Sequence, residues 1–169
     1  MNIKKIIPIG FVLSFLLASC LKDTPYLDVS NTAPVIEFGQ SPAQGVQGPF
    51  PYDGDMTAPV DTAIALVLAS PQVETDTLQT IVEVDPAQVA AFNAANGTSY
   101  TVLPDDLFTI IRDTVNILPG YRVGIIPVHL KFPGLTNNAL PLKIAKSYFL
   151  HKDTQVVISG NGGTFMWLF

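Results

Sequence analysis

Few side chains in this 169-residue sequence have types and spacing that could do chemistry: a single cysteine, Cys20, two histidines, His129 and His151, and scattered carboxylates. Cys20 follows Leu17-Ala18-Ser19, and before these come Lys4-Lys5 and an uncharged, largely apolar run from Ile6 to Leu17. A basic start, a short apolar stretch and small residues before a cut make a secretory signal, too short and wrongly flanked for a membrane span. A thiol directly after such small residues is placed to accept a diacylglycerol, so the chemistry expected of Cys20 is lipidation, with residues 1–19 removed. The alternative is an ordinary secretory signal in which the cysteine is incidental.

The histidines belong to no His-x-x-x-His or His-x-Glu pattern that would set two ligands on one face, so each reads as a solvated or edge-strand residue. Asp105-Asp106 and Glu74 with Asp76 have the residue types of a glycosidase pair, but acids at loop tips are common and sequence does not reveal their separation. Asp53-Gly54-Asp55 could contribute to a calcium loop, yet the other oxygen ligands are missing, and a plain turn is the reading preferred. Gly160-Asn161-Gly162-Gly163 stands between strands, with no helix amides to meet a phosphate. No catalytic residue, metal or cofactor is expected.

Removal of residues 1–19 leaves 150 residues, enough for one domain with a single core. It also takes Lys4 and Lys5 away from a formal net charge of −5, giving −7, which argues against nucleic acid and against electrostatic attachment to an anionic membrane. Attachment then falls to the lipid. With Cys20 acylated no thiol remains for a disulfide, so stability must come from the core.

The elements that must position any site are mostly strands. Residues 20–34 lack either period and read as a tether, and 35–169 as a single domain opening with the short strand Val35 to Phe38. From Gly39 to Asp61 repeated prolines and glycines forbid regular structure over most of a long loop that carries Tyr52. Thr62 to Ala69 alternates, with Ile64, Leu66 and Leu68 inward; Leu78, Thr80, Val82 and Val84 share a face of the next strand, with Glu83 outward. One helix is expected over about residues 86–95, with Asp85 as N-cap, Pro86 at the first helical position, Gln88 completing a capping box, Val89 and Phe92 as buried stripe, and Asn96-Gly97 as the stop. Pro104 separates the segments around it. Thr114 to Leu118 is a strand; the segment from Arg122 turns Ile126, Val128 and Leu130 inward, and Pro127 assigns it to an edge or a bulge. Leu140, Leu142 and Ile144 face in, with Pro141, Lys143 and Lys146 out. Val156 to Ser159 and Thr164 to Phe169 read as a closing hairpin. Many short strands with one helix predict a mainly β, antiparallel β-sandwich carrying one short inserted helix.

Val84-Asp85-Pro86, then Phe92-Asn93-Ala94-Ala95-Asn96-Gly97-Thr98-Ser99-Tyr100, Leu103-Pro104 and Leu140-Pro141-Leu142-Lys143-Ile144 occur in an order that resembles the immunoglobulin-like N-terminal domain of unknown function from Bacteroidetes surface lipoproteins of glycan-utilisation systems. The likeness runs from about Val35 to Phe169. It implies an immunoglobulin-like sandwich, no catalytic residue, and an outer-membrane lipoprotein exposed at the cell surface, with the periplasmic face as the alternative. Leu21-Lys22-Asp23 agrees: no aspartate adjoins Cys20 to retain the protein at the inner membrane, and the Lys-Asp pair resembles a surface-export signal. Members commonly carry a further carbohydrate-binding or hydrolase domain. The motif also has a ligand-free explanation as helix start, helix stop and aromatic seal by Phe92 and Tyr100.

The function expected is that of a non-enzymatic accessory module of polysaccharide capture, holding a glycan or a protein of an uptake complex. The alternative is a structural or adhesive module for protein–protein contact. A glycan binder should expose aromatic rings, and the C-terminal strand raises the question, because Phe165, Trp167 and Phe169 lie on one face and Met166 and Leu168 on the other. One face must complete the core; the other must be covered by the helix or the long loop, or stand exposed. Burial of Trp167 is the preferred outcome. An exposed Trp167 would be the stacking platform, with Tyr148 and Tyr52 as weaker candidates.

Overall fold

The computed structural model describes residues 31–39, 48–50 and 57–169. Cys20, Tyr52, Asp53 and Asp55 lie outside them. Two sheets face each other. The first has the order β10 (Val157–Ile158), β1 (Val35–Phe38), β3 (Val60–Ala69), β8 (Val123–Leu130), β6 (Phe108–Ile110). The second runs β2 (Gly48–Pro49), β11 (Thr164–Leu168), β9 (Asn138–Phe149), β4 (Leu78–Val84), β7 (Thr114–Ile117), with β5 (Thr101–Val102) also paired to β9. The long ladders are antiparallel, and three two-residue pairings are parallel: β1 with β10, β2 with β11, and β5 with β9. This is an immunoglobulin-like β-sandwich with an inserted helix, α1 (Ala87–Asn96).

Alternation in each strand builds the core. Ile36, Phe38, Ile64, Leu66, Leu68, Ile126, Val128 and Leu130 descend from the first sheet onto Leu78, Val82, Val115, Ile117, Leu140, Leu142, Ile144, Phe165 and Trp167 of the second. At about 1.5–3 kcal/mol for each fully buried apolar side chain, this layer is the main source of stability. A smaller cluster lies on the outside of the second sheet, where Val89, Ala139, Met166 and Leu168 pack with Phe92, Tyr100 and Val102. Both faces of β11 are thereby covered: α1 takes Met166 and Leu168, and Phe50 takes the other side, 4.9 Å from Trp167 and 5.3 Å from Phe169 between ring centroids.

Three sequence expectations change. The helix has no capping box: the Asp85 carboxylate turns to Lys143 at 3.8 Å, and Gln88 Nε2 donates to the Leu142 carbonyl at 3.0 Å. Tertiary partners on β9 compete successfully for both side chains. The strand containing Pro127 is no edge; β8 lies between β3 and β6. Its proline is tolerated because the Pro127 carbonyl accepts from Ile111 N–H at 3.0 Å, so the proline nitrogen points the same way, just past the end of the three-residue strand β6. Pro141 keeps the outward direction, paired with Met166 on the face that α1 covers, and is buried there, with its carbonyl taken by Asp85 N–H at 3.1 Å. The closing hairpin does not exist. β10 belongs to the first sheet and β11 to the second, and Gly162-Gly163 carries the chain across.

The helix end follows the sequence. Gly97 adopts φ +65° and its N–H meets the Asn93 carbonyl at 2.9 Å. The Asn93 side chain then organises what comes next: Oδ1 accepts from Thr98 Oγ1 and Tyr100 N–H at 2.8 and 3.0 Å, and Nδ2 donates to the Tyr100 carbonyl at 2.8 Å. Those bonds aim Tyr100 back at Phe92, ring centroids 6.1 Å apart. The motif spends its polar groups on architecture.

Candidate functional site: the outer face of the second sheet

The half of the second sheet not covered by α1 bears a polar ladder across β9, β4 and β7. On β9, Leu140, Leu142 and Ile144 point inward, and strict alternation would send residue 148 inward too. A bulge intervenes. Ile81 pairs with Lys146 whereas Val82 pairs with Ile144, so Ala145 is extra and the parity flips. Ser147 now points inward, where its Oγ is 2.8 Å from Oγ1 of the fully buried Thr80, and Lys146 and Tyr148 point outward. Register then places Tyr148 beside Gln79, and Gln79 beside Asn116. The Tyr148 hydroxyl donates to Gln79 Oε1, and Gln79 Nε2 donates to Asn116 Oδ1 at 3.2 Å. Lys146 Nζ sits 4.7 Å from the Tyr148 ring centroid, a cation–π contact that holds the half-buried ring in place. Ile81 and Thr114 continue the surface on one side, and exposed Leu118 and Leu150 on the other.

The arrangement can bind but has no reactive centre. A fixed ring, two amides and flanking aliphatic groups offer apolar contact together with donors and acceptors. Sequence reading named Tyr148 and missed Gln79 and Asn116, although period-2 alternation already turns both outward. Trp167 is only 2% exposed, enclosed by Phe50 and by Phe165 at 5.2 Å, so it presents no ring to a ligand.

The acids Glu74 and Asp76, and both histidines, are engaged in local hydrogen bonds and ion pairs. Glu74 accepts from Lys152 Nζ and from Ser70 Oγ at 2.6 Å; burial pushes its carboxyl up, but Lys152 and Ser70 outweigh this and hold it below the ordinary range. Asp76 binds His151 Nδ1 at 2.8 Å through Oδ1, while its Oδ2 accepts the His151 and Lys152 backbone N–H groups at 2.8 and 3.0 Å. The His151 side-chain bond leads, and with the backbone donors it outweighs burial and draws Asp76 down to about 2. A carboxyl depressed on folding contributes stability above its unfolded value near 3.8, and that contribution is lost as pH falls through about 2. Asp76→Asn is therefore expected to lower the melting temperature at pH 5 and above, with the gap to the unaltered protein closing between about pH 4 and pH 2. A gap that stays constant across that range would refute the assignment. His129 Nδ1 similarly meets Asp61 at 2.6 Å. Asp105 and Asp106 are exposed in the turn closed by Leu107 N–H and the Pro104 carbonyl.

Among the described residues no group of three or more His, Cys, Asp or Glu side chains could hold a metal ion, and no helix is long and apolar enough to cross a membrane. A cleft of about 480 Å³ between β4 and β6 carries Glu83, Asp105 and Asp113 beside Phe108, without such convergence.

Fold and surface together define a β-sandwich with a polar ladder on the outer face of its second sheet. The model of a family of N-terminal domains, Bacteroidetes-specific and found in surface and glycan-system proteins of Bacteroides, matches residues 30–148, and the chain belongs to that family. Among solved structures, a Bacteroides ovatus protein proposed to bind carbohydrate is similar at 17% identity and a TM-score of 0.55, over 79% of this chain and 36% of its own. A Bacteroides ovatus protein of unknown function is similar at 18% identity and a TM-score of 0.57, over 73% and 46%. Bacteroides thetaiotamicron EndoBT-3987, solved with a Man5GlcNAc product, is similar at 15% identity and a TM-score of 0.51, over 79% and 30%. The chain thus spans less than half the length of these three structures, and at such identities the likeness concerns the fold. No protein of curated function matches the sequence.

Proposed function

We propose that the chain is a non-enzymatic accessory module of a glycan-handling system, which holds a polysaccharide against the outer face of its second sheet. The observation that carries this reading is the ladder of Tyr148, Gln79 and Asn116, locked by hydrogen bonds and by Lys146. Sugars have apolar ring faces and rows of hydroxyls; a half-buried aromatic flanked by amides on a sheet face complements both. Pre-positioned side chains also reduce the ordering cost of binding. Membership of a family found in surface and glycan-system proteins supports the substrate class and a place outside the cytoplasm. Lipid on Cys20 is the proposed anchor, with residues 20–34 as the tether and an outer-membrane, surface-exposed position.

The test is electrophoresis of the detergent-extracted full chain through gels containing dissolved mannan, xylan, dextran or pectin. Retardation by at least one of these is expected, and Tyr148→Ala should weaken it by about tenfold, equivalent to about 1.4 kcal/mol, with little change in melting temperature. Absence of retardation by all four, or undiminished retardation of Tyr148→Ala, would rule the ladder out as the binding surface. A structural or adhesive role is the second reading, favoured by the apolar outer face of the first sheet.

A further inference from the structure

Exposed apolar side chains gather at one end of the sandwich. Strand register defines that end: Val35 at the start of β1 pairs with Ala69 at the end of β3, Val67 pairs with Val123 at the start of β8, and Leu78 at the start of β4 pairs with Ile117 and Phe149, where β7 and β9 end. The loops there are residues 70–77, 118–122 and 150–156. They carry Val73, Leu118, Tyr121 and Leu150, which are 65%, 54%, 66% and 43% exposed. Among the described residues no exposed large hydrophobic side chain lies in the loops of the opposite end, where Asp105 and Asp106 meet water.

The loops are tied together beneath these side chains. Gly120 N–H donates to the Glu74 carbonyl at 2.9 Å and Leu150 N–H to the Thr77 carbonyl at 3.1 Å, while Arg122 reaches the Ser70 and Gln72 carbonyls at 2.5 and 3.2 Å. Tyr121 N–H closes its own turn on the Leu118 carbonyl at 3.0 Å. Charge is nearly balanced: Lys152 and His151 take Glu74 and Asp76, and Asp153 is the only other acid in the three loops. Three acids against Arg122 and Lys152 leave one formal negative charge here, out of −5 for the chain.

The chain enters the domain at this same end, where Thr32 and Ala33 line a small groove with Ser70, Pro71 and Arg122. Cys20 lies eleven residues before Asn31, so even a fully extended chain allows no more than about 40 Å between the lipid and the domain. We infer that this end docks onto the lipid surface that holds Cys20, with Val73, Leu118, Tyr121 and Leu150 entering the headgroup boundary. The inference rests on the lipid anchor proposed above. Aliphatic tips leave water there, and a tyrosine suits the boundary because its ring is apolar and its hydroxyl stays wet. Four side chains bury too little to hold a free protein at a membrane, but a short tether supplies the local concentration that makes them sufficient. The more acidic remainder of the molecule is repelled by an anionic surface, which favours the near-neutral end as the one that approaches. Leu118 and Leu150 also border the Tyr148 ladder, so docking holds that surface just above the lipid.

Short-range fluorescence quenching tests the docking, with the full chain purified in detergent from the cells that make it and reconstituted into vesicles of phosphatidylethanolamine and phosphatidylglycerol. Thr75→Cys, in the loop of Val73, and Asp106→Cys, at the opposite end, each carry a polarity-sensitive dye, Cys20 being acylated and unreactive. Brominated acyl chains are expected to quench the dye at residue 75 at least twofold and to leave the dye at residue 106 unchanged. Val73→Ser with Tyr121→Ser should remove the quenching at residue 75 and keep the melting temperature, because both side chains are about two-thirds exposed. Equal quenching at the two positions, or undiminished quenching in the doubly substituted chain, overturns the inference and leaves the anchor standing. A chain that does not float with the vesicles overturns the Cys20 reading and the docking with it. No polysaccharide is present, so none of these outcomes depends on the ladder.

Discussion

Replacing Trp167 by alanine is expected to destabilise the domain by about 3–5 kcal/mol, the range for truncating a large buried aromatic. The indole is sealed edge-on by Phe50 on one side and Phe165 on the other, with ring centroids 4.9 and 5.2 Å away. A cavity there cannot close easily, because β11 is held by β9 along five paired positions and by Gly48–Pro49 along two. Phe50 would keep Phe169 but lose its edge-on contact with the indole, loosening the short pairing with β2 that brings it in. Against a typical stability of about 5–15 kcal/mol the loss is a large fraction, and for a domain of this size it lowers the melting temperature by roughly 10 °C or more. Thermal unfolding followed by tryptophan-independent circular dichroism measures it. A loss below about 1 kcal/mol would mean that the ring is not packed as described. Because Trp167 is buried, any loss of polysaccharide binding in this variant should track unfolding, whereas in Tyr148→Ala it should not.

Gly163→Ala is expected to cost about 1–3 kcal/mol or more, although it adds a single methyl group. An ideal Cβ at this position would stand 2.5 Å from the Ser159 carbonyl oxygen and 2.7 Å from Ile158 Cγ2. The first of these is backbone, and it is already occupied in accepting the Gly163 N–H at 2.8 Å, so it cannot swing aside. Gly163 also accepts from Ile144 N–H at 2.9 Å with its own carbonyl, and Gly162 accepts from Phe38 N–H at 2.7 Å. The crossing is therefore stitched to both sheets, and a shift to relieve the clash would stretch bonds on each. Gly160→Ala, where no heavy atom lies within 4 Å of the added carbon, is the matched control and should cost much less. Denaturant unfolding of the two variants decides the point: equal effects would contradict the close approach at Gly163.

Composition and spacing alone were sufficient for the sandwich class, the inward faces of β3, β4 and β8, the inserted helix and its glycine stop. These properties are local or periodic, and alternation of large apolar residues has one favourable solution, burial. Ile64, Leu66 and Leu68 needed no partner strand to declare their side. The proposed binding surface was legible only in part. Tyr148 could be named as an aromatic candidate, and Gln79 and Asn116 could have been placed outward, but nothing near them in the chain says that the three stand side by side. That depends on the register of β9 against β4, and on the extra residue at Ala145 that reverses the direction of Tyr148. Register and bulge are settled by long-range pairing, where Thr80 and Ser147 satisfy each other beneath the ladder. The same reason explains why a glycine run that looks like a hairpin turn is a passage between sheets: β10 and β11 each find a better partner, β1 and β9, than each other. It explains the capping residues too, since Lys143 and the Leu142 carbonyl reach Asp85 and Gln88 only after β9 is in place. Sequence by itself determined which residues turn inward; tertiary structure decided which outward-facing residues meet, because outward positions gain no burial and acquire neighbours only through the pairing of distant strands.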